Sequence, residues 1–538
     1  MPTADANTPY YKDLREYLEK LDKLGLLVHI KRPIVKEKEL TSLVKLQFRG
    51  LPEEQRKGFI FENVVDSRGR KYNMKVATGI LASSRDIYAL GMNCKPEEVS
   101  RKWAAALDKP IPPVIVKEGP VQEVVVTGAD LEKDGMGIEE FPVPVDVPGY
   151  SGQIRSSFSA FITKDIETGI RNVGNYSAHL FGKTKVLWEI AKTNHGYVHW
   201  QKARANGKKL QAAVVIGATP NIAFTAMAKI PYGVDEFGVA GAIAGKPVEL
   251  VKCKTVDIEV PANAEIVIEG EIDPDYVEPG NAFGEYTGYM ATDVVPRPEF
   301  RITCITHRKD AIFTHVISQF PPSESSVMRK IAYESVFLKF LKSDCNNPAV
   351  QDVALMEMSQ ARYLVVQLKK THPAQPWQAL YAATAFDPQY GKIVVAVDDD
   401  IDPRDPDSVI WAMSFAMQPH RDVKIVRGKY PELDLSAYSP EASRADKDFP
   451  EAQGSGAMLI DATRKFPYPP TSLPKKEYME RAVEIWKEEG LPELHLRDPW
   501  YGRTFGFWPK EYQDDAEKIV NGEQYQVGKR LEKLREKV

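Results

Sequence analysis

Cysteine is scarce in this chain of 538 residues: its four, Cys94, Cys253, Cys304 and Cys345, are scattered and form no CxxC pair. That spacing argues against a zinc site or a disulfide framework, and the four read as ordinary reduced thiols. Long apolar runs are absent too. Stretches such as Ala212 to Ala218 and Ile393 to Val397 are strand-length, far short of the roughly 20 residues that cross a bilayer, so no membrane partner is expected. Nor does one sign of charge dominate. The 71 Lys and Arg against 75 Asp and Glu leave a formal net charge of -4, and this interspersed balance offers no electrostatic footprint for nucleic acid. The opening MPTADANTPYYKDL has neither a basic n-region nor an apolar h-region, which predicts a cytoplasmic protein.

What the chain does have is bulk for a large core. With 43% hydrophobic residues and 10% aromatics, it predicts two to four domains. The first stretch mixes an amphipathic segment from Tyr11 to Leu24 with strand-like LLVHIKR, GFIFENV and KVATGI, an α/β pattern. Pro110 to Pro113 then punctuate the chain. From Val121 the signals become strands, VQEVVVTG, SFSAFITKD, IRNVGNYSAHLF, QAAVVIGA, VKCKTVDIEV and EIVIEGEI, which suggests a barrel-like centre. DVALMEM, RYLVVQLKK and KIVVAVDDD alternate afterwards with helical stretches, α/β again. The acidic run Asp398 to Asp402 sits just past a strand end, where open α/β sheets place functional loops. A Pro-rich stretch from Pro467 to Pro474 leads into KKEYMERAVEIWKEEG and a charged tail, expected to dock on a neighbouring subunit or to lie solvated.

Two Gly-rich stretches carry no phosphate-binding meaning. GVAGAIAGKPVEL has Pro247 where a P-loop needs Ser or Thr, and QGSGAM lacks a dinucleotide fingerprint. Three other segments, NVGNYSAHLFGKTKVLWEI from Asn172, IPYGVDEFGVAGAIAGKPVELVKCKTVDIEVPANAEIVIEG from Ile230 and NAFGEYTGY from Asn281, together resemble the central domain of the UbiD family of decarboxylases. The likeness continues through KIVVAVDDDIDPRDPDSVIWAMSFAMQPHRD and GAMLIDATRKFP, so it covers about Val121 to Pro467.

The resemblance implies an α/β subunit of three domains: an N-terminal α/β domain over 1–118, a split β-barrel that binds prenylated FMN over 119–325, and a C-terminal α/β domain over 326–474. A helical tail over 475–538 would then lie at a subunit contact of a homo-oligomer, a dimer or a hexamer. It also implies a Mn2+ or Mg2+ ion held against the flavin phosphate, with K+ nearby and a flavin prenyltransferase as cofactor supplier. The metal positions fall on Asn172 and Glu236, and on His195 by spacing, with His199 then a structural or surface residue; alignment through Trp200 and Gln201 would put Thr193 in the place of His195 instead. A hard cation suits such oxygen ligands. Taken alone, Glu236 reads as a loop carboxylate in water. Asn172, Ser177 and Lys392 are the expected cofactor-binding residues.

Catalytic members carry an Arg and two acids around the substrate carboxylate. Here Ser177 stands at the Arg position and Gly280 at the first acid position; Glu285 alone remains, with Glu278 close to the missing acid. An Arg fork grips a carboxylate bidentately, so its absence matters. This pattern looks most similar to phthaloyl-CoA decarboxylases, whose thioester activates the ring and whose CoA handle supplies binding energy. The expected reaction is therefore decarboxylation of phthaloyl-CoA to benzoyl-CoA, with Glu285 as catalytic proton donor. A decarboxylase of a free aromatic acid such as a hydroxybenzoate, or a non-catalytic flavin-binding subunit, are the alternatives.

Overall fold

The computed structural model describes residues 9–157, 160–192, 194–291, 296–318, 320–430, 434–437 and 455–536. The chain divides into two compact units, one of Met1–Phe340 with Leu355–Tyr363 and Pro431–Glu441, the other of Leu341–Ala354, Leu364–Tyr430 and Ala442–Val538.

The first unit opens on the helix Leu14–Lys23, started by Asp13, whose side chain accepts from the Glu16 N–H. Its apolar stripe of Leu14, Tyr17, Leu18 and Leu21 is buried, as a period of 3.6 residues dictates. A four-stranded sheet runs in the order Leu27–Ile30, Gly58–Phe61, Lys75–Thr78 and Ile312–His315. Its last strand comes from far along the chain and pairs in parallel with Lys75–Thr78. That crossing delivers His315 and the loop after it to the neighbourhood of Asp146.

The centre is a nine-stranded sheet. Its path runs Arg171–Gly174, Ala160–Lys164, Leu210–Ile216, Ile266–Pro279, Pro296–His307, Lys185–Glu189, Ser177–Gly182 and Arg155–Ser157, with Val124–Thr127 also paired to Pro296–His307. All these pairings are antiparallel, and register shifts near Gly270 and between Ile272 and Val277 bend the long central strand. One face packs Phe161, Trp188, Phe300, Ile268 and Ile305 into a core; another cluster joins Ile162, Val173 and Val215 to Phe237 and Ala240.

Those last two residues belong to a helix that the strand patterns do not announce. DEFGVAGAIAG forms the helix Glu236–Ala244, capped by Asp235 and closed by Gly245 at φ 70, a left-handed turn natural for glycine. It is apolar almost all round, so it is buried rather than amphipathic. The helices Pro220–Met227 and Glu324–Lys339 are likewise enclosed. Glu324, fully buried, accepts from the Gly79 and Leu81 N–H groups, each at 2.8 Å.

The second unit holds a five-stranded sheet in the order Val350–Leu355, Tyr363–Leu368, Ile393–Asp398, Ser455–Asp461 and Val423–Lys429. The acidic run past Asp398 has its own counter-ions: the Arg464 N–H donates to Asp398 at 2.7 Å, Arg464 Nη1 donates to Asp400 at 3.1 Å, and Lys370 lies 3.3 Å from Asp398. It works as a tied turn. Of the tail helices, Lys476–Glu488 and Lys510–Val520 bury no residue, while Gln524–Glu532 buries Val527. Among the described residues no helix is long and apolar enough to cross a membrane.

Candidate active site

Two buried carboxylates, Glu236 and Glu285, mark two ends of chemistry in the central sheet unit. Glu236 is the first residue of its helix and is 4% exposed. It is therefore no loop carboxylate in water: the apolar sequence behind it draws the helix inward and takes the acid with it. Its Oε2 accepts from the Val173 N–H at 3.0 Å. Burial pushes it up to about 8, opposed by backbone N–H groups at the helix start and at Val173.

Asn172 precedes Val173 on the edge strand and is buried, its Nδ2 donating to Tyr176 Oη at 3.3 Å. The same Tyr176 oxygen accepts from the Gly196 N–H at 3.4 Å, which ties the start of the helix His195–Ala205 to Asn172. His195 is half-buried, its ring edge-on to Tyr232 at 5.1 Å. His199 is buried and shares a 2.9 Å hydrogen bond with Thr163 Oγ1. Burial lowers both histidines, His195 with help from the Lys229 charge and His199 to about 4. Thr193 lies outside the described residues. Among the described residues no group of three or more His, Cys, Asp and Glu side chains is disposed to hold a metal; the expected set has two such side chains, its third member being an amide.

Lys392 belongs to the second unit, just before Ile393–Asp398, where its carbonyl accepts from the Met458 N–H at 2.8 Å. Ser177 is half-buried and stands opposite Glu189 in the antiparallel register.

Glu285 sits in the turn between the short paired strands Phe283–Gly284 and Met290–Ala291. Its N–H donates to the Tyr289 carbonyl at 2.9 Å, and its Oε2 accepts from the Tyr286 N–H at 3.0 Å. Gly284 has a packing reason: a Cβ there would lie 2.4 Å from Val147 Cγ2. Burial pushes Glu285 up to about 7; Arg155 opposes that rise and Glu189 adds to it.

Sequence reasoning does not find Arg155, yet its guanidinium organises this end. It is 4% exposed on the sheet's terminal strand. Nε donates to Asp146 at 3.2 Å, Nη1 to Glu189 at 3.3 Å, and Nη2 to the carbonyls of Gly284 at 2.8 Å and Ser318 at 3.3 Å. Nη1 is also 3.8 Å from Glu285 Oε1, and the group lies 4.6 Å from the Phe283 ring centre. Glu189 Oε2 additionally meets His179 Nε2 at 3.2 Å, while its Oε1 is 3.6 Å from Arg297 Nη2. Although burial raises Glu189, Arg155 and His179 win and hold it below the usual carboxylate range.

Gly280, at the missing acid's position, and Glu278 beside it resolve differently. At Gly280 an added Cβ would lie 2.0 Å from Arg297 Nη1, so a guanidinium fills the space beside it. Glu278 faces Arg297 in register but is ion-paired with Lys185. The one sequence signal for Arg155 is a charge at the head of an alternating stretch, and nothing local says which carboxylates it meets.

Three family models match, described as the N-terminal, Rift-related and C-terminal domains of 3-octaprenyl-4-hydroxybenzoate carboxy-lyase, over residues 18–107, 114–321 and 326–462. The chain belongs to the UbiD family. This UbiD chain is 34% identical over 520 residues to an uncharacterized protein of Aquifex aeolicus, covering 89% of this chain and 99% of that one. An uncharacterized protein of Archaeoglobus fulgidus is 33% identical over 472 residues, 85% of this chain and 92% of the relative. Among solved structures, the UbiD-class enzyme HmfF from Pelotomaculum thermopropionicum in complex with FMN aligns with a TM-score of 0.73 at 31% identity, over 84% of this chain and 94% of that one. The closed form of vanillic acid decarboxylase from Sedimentibacter hydroxybenzoicus aligns with a TM-score of 0.74 at 25% identity, over 89% and 100%. The mixed α/β architecture is thus that of UbiD-class subunits, and the protein is a carboxy-lyase.

Proposed function

We propose that this UbiD carboxy-lyase binds prenylated FMN and removes carbon dioxide from an aromatic acid, with Glu285 as the proton donor. The observation that carries the reading is a buried carboxyl in the hairpin turn, 3.8 Å from the Arg155 guanidinium and pushed by burial up to about 7, within reach of its protonated form near neutrality. A general acid needs that state. HmfF was solved with FMN, and an evolved dimeric form of it with prFMN; the same cofactor is assigned here by family.

The residues near Glu236 fit a cation. A carboxylate buried to 4% exposure and stabilised by backbone donors gains from a divalent ion, and an amide donating through Nδ2 offers its oxygen. Asn172, Glu236 and His195 would hold Mn2+ or Mg2+, whose charge would offset a phosphate; K+, and Ser177 and Lys392 as further cofactor residues, are assigned by the family resemblance. Bound prenylated FMN supplies the electron sink for carbon–carbon cleavage. The protein's part is to place the acid's reacting carbon, exclude water, and hand the Glu285 proton to the carbon that carbon dioxide leaves. Solvent then reprotonates Glu285.

For the substrate we propose phthaloyl-CoA, giving benzoyl-CoA. Position 177 offers a hydroxyl in place of a guanidinium fork, and Arg155 is committed to protein acceptors. A remote CoA handle and an electron-withdrawing acyl group meet both needs. Protein co-produced with a flavin prenyltransferase should turn over phthaloyl-CoA, with free phthalate and hydroxybenzoates slower by about tenfold or more. Equal turnover of a free acid removes the thioester assignment and leaves the decarboxylase; no decarboxylation of any aromatic acid by flavin-loaded protein removes both.

A further inference from the structure

The Arg155 constellation has a division of labour. Glu189 and Glu285 share one buried guanidinium, but unequally. Glu189 is within 3.3 Å of Arg155 Nη1, 3.2 Å of His179 Nε2 and 3.6 Å of Arg297 Nη2. Glu285 stands 3.8 Å from the same Nη1 and takes one backbone N–H, that of Tyr286. Asp146 takes the Nε edge of Arg155 at 3.2 Å and lies 3.2 Å from His315 Nε2 without hydrogen-bond geometry. Arg329, from the helix Glu324–Lys339, also faces Glu285, lowers it and lies 3.9 Å over the Tyr286 ring.

Three acids, Asp146, Glu189 and Glu285, meet this one guanidinium, and acids so crowded in a dry site do not all ionise readily. The better-paired acid takes the negative charge. We propose that Arg155 and Glu189 are positioning residues for Glu285: their ion pair carries the negative charge on Glu189 and leaves the transferable proton on Glu285. Arg155 also anchors the turn, since its Nη2 holds the carbonyl of Gly284, the residue before the acid. A guanidinium and a carboxylate on two strands of the sheet thereby serve Glu285 although Ser177 and Gly280 carry no charge. The inference rests on Glu285 as proton donor, and its two halves separate experimentally.

The test is an infrared titration of the full-length protein, following the carboxylic C=O band that disappears in Glu285→Gln, beside the pH profile of kcat in flavin-loaded protein. Glu189→Gln removes the competing negative charge and frees Arg155 for Glu285, so the midpoint should fall by about one pH unit or more. Arg155→Gln removes the cation, so the midpoint should rise by a similar amount. Glu189→Asp and Arg155→Lys keep the charges and should stay near the parent midpoint. Unmoved midpoints, or midpoints moving the same way in the two Gln variants, overturn the proposal. Should Arg155→Gln not fold, Glu189→Gln decides alone: a fall supports, no change overturns. Midpoints that move oppositely while the kcat profile stays put support the charge division and overturn Glu285 as proton donor.

Discussion

Glu236 and Glu285 are both nearly inaccessible and both pushed up by burial, to about 8 and about 7, yet their surroundings differ in kind. Around Glu236 the stabilising groups are backbone N–H dipoles; the nearby Arg171 is already bound to Asp235 and Glu259. Around Glu285 the chief stabilising group is the Arg155 guanidinium, helped by the Tyr286 N–H and opposed by Glu189. In the first environment the leading stabilisers are backbone dipoles, with Arg171 acting on Glu236 from its own ion pairs and Lys229 acting on His195, and a buried carboxylate beside an amide and an imidazole suits an ion from outside. The second supplies its own cation and its own competing acid, so it suits a group that keeps and then gives up a proton.

The largest effect should come from breaking the second environment. Glu285→Gln keeps size and hydrogen bonding but removes the transferable proton, so carbon dioxide release should slow by roughly a hundredfold or more. Flavin absorbance and metal content should be unchanged. In the parent the rate should be flat below about 7 and fall as pH rises through it, because the raised carboxyl loses its donor form there; solvent deuterium should enter the ring at the vacated carbon. Native turnover in Glu285→Gln would show the proton comes from elsewhere.

Breaking the first environment should give a different signature. Glu236→Ala should weaken metal binding by about 10- to 100-fold and lose flavin with it. Full occupancy of both after purification would refute the metal assignment. The two histidines sharpen the same point: His195→Ala should lower metal content with little change in Tm, whereas His199→Ala loses the Thr163 hydrogen bond and should cost about 1–3 kcal/mol with metal retained. The reverse pattern, read by elemental analysis and thermal melts, would make His199 the ligand.

The smallest expected change tests how tightly the Glu285 turn is packed. Gly284→Ala puts a Cβ against Val147, and overpacking of this kind costs about 1–3 kcal/mol. An unchanged Tm would mean the turn yields freely.

Much of the fold was legible. The amphipathic repeat before Leu24 became the helix Leu14–Lys23, and VKCKTVDIEV split into the paired strands Glu249–Lys252 and Glu259–Pro261 because its polar middle turns the chain. The helix Glu236–Ala244 was harder to see. A short segment that is apolar on every side has no period to read, so burial of Glu236 could not be inferred from spacing.

By itself the sequence determined the family and the strand-rich centre between two α/β regions, and through long matched segments it marked Asn172, Glu236 and Glu285. Those properties live in local patterning and in residue identity. Only the tertiary structure decided which charges surround the acids. Arg155, Glu189 and Glu285 lie on three separate segments, and their meeting depends on antiparallel register, where a one-residue slip would turn the Arg155 side chain to the opposite face. Electrostatic interaction depends on distance through space and on the exclusion of water, and neither quantity is written in the order of residues along the chain.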